Sequence, residues 1–136
     1  MIDDMKKILK SIIFCALTFA YVHTAIGQEL QSLSLENSNP NIQSDTVLLI
    51  NILPSEPNYC GMQIEWGDGS SQEYRLQRSG SEPVRLTKRY SRIGDYTIIV
   101  KGKFLIRGLK TAGACKGQDL NLSIKVIDIE QQRQKL

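Results

Sequence analysis

From Thr46 onward, apolar and polar positions alternate with the period of two that places every second side chain on one face of a strand. Thr46 to Leu53 is a β-branched, apolar run bounded by Pro54 and Pro57, which predicts a buried strand. Met62, Ile64 and Trp66 alternate with Gln63 and Glu65 and stop at Gly67-Asp68-Gly69-Ser70, a strand with one apolar face running into a turn. A short polar strand follows around Glu73 to Gln77, after which Val84, Leu86 and Tyr90 alternate with Arg85, Thr87 and Arg89. Beyond a turn at Arg92-Ile93-Gly94-Asp95, the side chains of Tyr96, Ile98 and Val100 share a face of a strand with room to extend through Phe104 to Ile106. A Gly-rich connection from Gly108 to Gly117 carries Cys115, and a last strand sets Leu120, Leu122, Ile124 and Val126 against Asn121, Ser123 and Lys125. No window has a helical period. Six or seven short strands separated by turn signals predict an all-β fold, an antiparallel β-sandwich.

The ends of the chain read differently. Lys6, Lys7 and Lys10 precede an apolar run from Ser11 to Val22 and the small-residue stretch Thr24-Ala25-Ile26-Gly27, the three regions of a secretory signal. Residues 1–27 are therefore expected to be a signal peptide cut after Gly27, with no membrane span left afterwards, because the run is broken by Lys10 and His23 and falls short of a spanning helix. Residues 28–45, rich in Ser, Asn and Gln, read as an extended leader or a frayed first strand. The sandwich is expected over residues 46–129 and a loose tail over residues 130–136.

Export changes the chemistry on offer. It removes His23, the single histidine, and Cys15, so no mature triad, Cys-His pair or His-ligated zinc is available within one chain. Neither a cofactor nor a metal is expected. The remaining Cys60 and Cys115 become readable as a disulfide in a periplasmic or extracellular compartment. If the Met62 and last strands both lie antiparallel to the Tyr96 strand, the two cysteines fall at one end of a sheet. The Gly67-Asp68-Gly69 and Gly94-Asp95 turns then fall at the other.

Two segments resemble the PKD domain, an immunoglobulin-like β-sandwich of extracellular and cell-surface proteins. Trp66-Gly67-Asp68-Gly69-Ser70 is similar to that family's aromatic-Gly-Asp-Gly-Ser turn, and Tyr90 to Ile98 is similar to its Tyr-x-x-x-Gly-x-Tyr-x-Val pattern. The chain departs from the family at Ile64 and Lys88, where an aromatic and a histidine are usual, and the cysteine pair is not a general family feature. The resemblance implies a PKD-like, non-enzymatic module that binds partners through its loops.

Candidate site residues follow from charge and turn chemistry. Asp68 between two glycines, with Asp95, offers carboxylates for a ligand, although turn chemistry alone accounts for Asp68. Trp66 on an apolar strand face reads as core, and Tyr90 and Tyr96 read as corner residues bonded to backbone. Residues 28–74 hold seven acids and no Lys or Arg, whereas residues 75–136 hold fourteen Lys or Arg and five acids. The basic half suits an anionic partner such as acidic polysaccharide, phospholipid headgroups or a protein, with Arg85 and Arg89 as its surface pair. A net charge of +2 after export is too small for nucleic acid. The expected function is an exported binding module contacting another protein or a cell-envelope component. The alternatives are a small glycosidase using Asp68, Glu65 or Asp95, which needs paired carboxyls beside a cleft, and a structural spacer.

Overall fold

The structure is a computed structural model that describes residues 28–54, 59–77 and 82–136; the signal peptide expected over residues 1–27 lies outside the described residues. In chain order the strands are β1 (Glu29–Leu35), β2 (Thr46–Leu53), β3 (Tyr59–Glu65), β4 (Ser71–Gln77), β5 (Val84–Lys88), β6 (Gly94–Gly102), β7 (Leu105–Arg107), β8 (Lys110–Ala112) and β9 (Leu120–Val126). A short helix, α1 (Ile129–Gln134), follows. One sheet has the order β1-β2-β5 and the facing sheet the order β4-β3-β6-β9, while β7 and β8 form a separate two-stranded ribbon. All strand pairs are antiparallel.

The period of two sets the core. Leu48, Ile50, Val84 and Leu86 point inward from the three-stranded sheet and meet Met62, Ile64, Ile98, Val100, Ile124 and Val126 from the four-stranded one, all buried in one cluster. Each such side chain contributes roughly 1.5–3 kcal/mol by leaving water. Trp66, just past β3, continues that strand's inward face and is 2% exposed, as its spacing from Met62 and Ile64 requires. The fold is the expected all-β sandwich, and Cys60 and Cys115 are disulfide-bonded with their Cα atoms 4.8 Å apart. The bridge forms because β3 and β9 are both antiparallel to β6 and so start from the same end of the sheet.

Three segments differ from their sequence reading. Residues 29–35 are neither leader nor frayed: β1 pairs with β2 along its length and puts Leu30 in the core. A bulge between Leu30 and Ser32 shifts the register by one, so Leu30, Leu33 and Leu35 all pack inward despite an uneven spacing. Past Gly102 the backbone leaves the sheet, so Leu105 to Arg107 is a new strand, and the supposed Gly-rich connection contains its partner β8. The tail expected to be loose begins as α1, because Asp128 caps the helix by accepting from the Glu130 and Gln131 amides, with Glu130 in the first turn and Arg133 in the last.

Candidate functional site

At one end of the sandwich the turn after β3 is tied to both sheets. Gly67 and Gly69 take left-handed backbone conformations with φ of 82° and 88°, and a Cβ on Gly67 would stand 2.7 Å from the Thr97 carbonyl oxygen. Between them the Asp68 Oδ1 accepts the Ser70 amide at 3.0 Å and the Ser70 hydroxyl, and the Trp66 amide donates to the Ser70 carbonyl at 3.0 Å. Lys88, on the inward face of β5, reaches across from the other sheet to Asp68 Oδ2 at 2.8 Å. Partial burial pushes the Asp68 carboxyl up, but hydrogen bonds from Lys88 and from the Ser70 hydroxyl and amide outweigh it and hold the group at about 2. Tyr90 closes the corner by donating its hydroxyl to the Trp66 carbonyl at 2.8 Å. Its ring lies 4.5 Å from that of Tyr96, whose own hydroxyl bonds the Arg92 carbonyl. Burial raises the Tyr90 phenol, and the Asp68 carboxylate and Tyr96 add to the effect. The two PKD-like sequence segments therefore meet through the Tyr90–Trp66 bond.

Asp68 is thus an ionised acceptor engaged by its own turn and by Lys88, and a carboxyl held at about 2 carries no proton to donate near neutrality. Asp95 is exposed at the start of β6, at the same end, in register with Lys125 of β9. Arg85 and Arg89 lie outward on and just past β5 as expected, and each has an acidic partner within the chain: Glu36 at 2.6 Å and Asp45 at 3.0 Å. Two further ion pairs join Lys101 to Glu65 and Lys103 to Glu73. Together with the Lys88 pair, these five link acids from residues 28–74 to bases from residues 75–136. The two oppositely charged halves of the chain neutralise each other across the folded surface.

The disulfide end has a different character. Tyr59 opens β3 beside Cys60, and Leu53 closes β2 opposite Glu29, which is bridged to Lys116 beside Cys115. The Arg75 guanidinium stacks 5.8 Å from the Tyr59 ring centroid and donates to the Thr111 carbonyl, tying β8 to the sheet. From there the β7–β8 ribbon projects with Leu105 and Ala112 buried beneath it. Among the described residues, the exposed large hydrophobic side chains are Leu53, Tyr59, Phe104, Ile106 and Leu109 at this end, with Ile93 and Leu136 elsewhere. Sequence reasoning missed this surface. The signal was Arg107-Gly108-Leu109-Lys110, a Gly-X pair between two β-forming stretches, which is the pattern of a two-residue hairpin.

No family model matches the chain, and no curated protein matches it. Two solved structures match the chain. The PKD domain of an M14-like peptidase from a Thermoplasmatales archaeon superimposes with a TM-score of 0.52 at 16% identity, covering 74% of this chain and 95% of that one. The PKD domain of the human VPS10 domain-containing receptor SorCS2 gives a TM-score of 0.47 at 20% identity, covering 81% of this chain and 83% of that one. The strand order, the Trp66 turn, the tyrosine corner and the first of these likenesses define a divergent PKD-like, immunoglobulin-like β-sandwich.

Proposed function

We propose that the protein is an exported, non-enzymatic PKD-like binding module that contacts another protein or an anionic component of the cell envelope through its disulfide-bridged end. The observation that carries this reading is the gathering of exposed apolar side chains at that end, Ile106 and Leu109 among them on the ribbon that Arg75 ties to the sheet beside the disulfide. Five large apolar side chains left exposed at one end of a small domain point to a contact site. The disulfide supports an oxidising compartment. Asp68, Arg85 and Arg89 are each engaged within the chain, which moves the expected contact surface away from them. The glycosidase alternative loses Asp68 as its acid for the same reason.

The test is retention of the protein on washed cell envelopes from its own host. Ile106→Ser combined with Leu109→Ser is expected to reduce retention at an unchanged melting temperature, while Arg85→Gln with Arg89→Gln leaves retention intact. Retention indifferent to the apolar pair would overturn the assignment of the surface.

A further inference from the structure

We infer that the β7–β8 ribbon is a membrane-surface wedge that takes anionic lipid headgroups, an inference that rests on the binding-module reading and names its partner. The ribbon turns through Gly108 and Leu109, with Gly108 at φ 60°, and Leu109 at the apex is fully exposed. Phe104 and Ile106 are exposed behind it, while Leu105 between them is buried. Arg107 and Lys110 sit directly opposite each other in the register, flanking the apex. Like charges facing across a strand pair are destabilising, and among the described residues no ion pair reaches either cation. Residues 96–118 hold five Lys or Arg and no Asp or Glu, so the anion that would relieve the Arg107–Lys110 pair must come from outside this stretch.

The combination of an apolar apex with two cations level with its base selects the occupant. A bilayer surface accepts Leu109 without a shaped cavity and offers phosphates at the depth of Arg107 and Lys110, which stand immediately behind the apex, and such binding grows with apolar area plus attraction to anionic lipid. A single small wedge of this kind makes a shallow, reversible contact.

Co-sedimentation of the purified protein with vesicles of phosphatidylcholine, alone or mixed with phosphatidylglycerol, tests this at low and at physiological salt. Binding is expected on the mixed vesicles and to weaken with salt. Arg107→Gln with Lys110→Gln is expected to lower the partition coefficient roughly thirty-fold, about five-fold per cation, and Leu109→Ser about ten-fold. The melting temperature should not fall in either variant. Because any apolar leader is common to all variants, wild-type binding that both variants leave unchanged overturns the wedge, as does equal binding to neutral vesicles. If vesicles bind nothing while envelope retention still drops in Ile106→Ser with Leu109→Ser, the lipid assignment falls and the binding module stands. If envelope retention is also unaffected, the underlying reading falls too.

Discussion

Asp68 looks from its sequence like a candidate ligand and behaves in the fold as a structural anion. Its carboxyl is held at about 2 against an ordinary 3.8, so as pH falls the unfolded chain takes up the proton first. The stability it contributes is complete above about pH 4 and drains away as the pH drops toward 2. Its partial exposure limits the amount to roughly 1–2 kcal/mol. Asp68→Asn is expected to lower stability at neutral pH by that order and to flatten the acid limb between pH 4 and pH 2 in urea titrations; an acid limb as steep as the wild type's would place the titration elsewhere. Trp66, at 2% exposure beneath the same turn, belongs to the core, and Trp66→Ala should cost roughly 3–5 kcal/mol in the same titrations. An unchanged midpoint would mean that the indole contributes no packing.

At the scale of elements, the legible parts were those with a long apolar run or a single period. β2 was legible as a continuous apolar run, and β3, β6 and β9 because their inward residues, Met62 and Ile64, Ile98 and Val100, and Ile124 and Val126, fall two apart. β1 escaped because its bulge puts Leu30 and Leu33 on one face at a spacing that no strand template contains. β7 and β8 are three residues each, too short for periodicity to register, and α1 buries nothing and is held by its cap. The turn residues of the Gly67-Asp68-Gly69 motif were legible as a turn, but not as different from one another. Gly67→Ala is strained both by its φ and by the Thr97 backbone, whereas a methyl on Gly69 meets open space. The expected order is Gly69→Ala at about 1–2 kcal/mol and Gly67→Ala clearly more, measured as unfolding free energies. Equal costs would show that Thr97 gives way.

Over the whole molecule, the acidic and basic halves of the chain become one mixed surface, with each exposed pair contributing only about 0–1 kcal/mol. What the linear charge pattern could not reveal is which strands would be neighbours: Glu36 meets Arg85, and Glu65 meets Lys101, only because of the sheet order. The disulfide spans the same divide, joining residues 55 apart, and in the chain-entropy account its loss costs roughly 4 kcal/mol. Both the covalent link and the ion pairs therefore bind the segment ending at Gln77 to the segment starting at Glu82. The protein is in effect a heterodimer of its own two halves, with a single bolt through the seam. A protease site engineered between Gln77 and Glu82 should give, once cut, one species without reductant and two with it. The nicked form is expected to keep the β-sheet circular dichroism of the intact chain until the bridge is reduced. Separation into two pieces before reduction would show the bolt to be missing. In an oxidising compartment, a molecule built this way is expected to keep both pieces together after a backbone break at the junction of its halves.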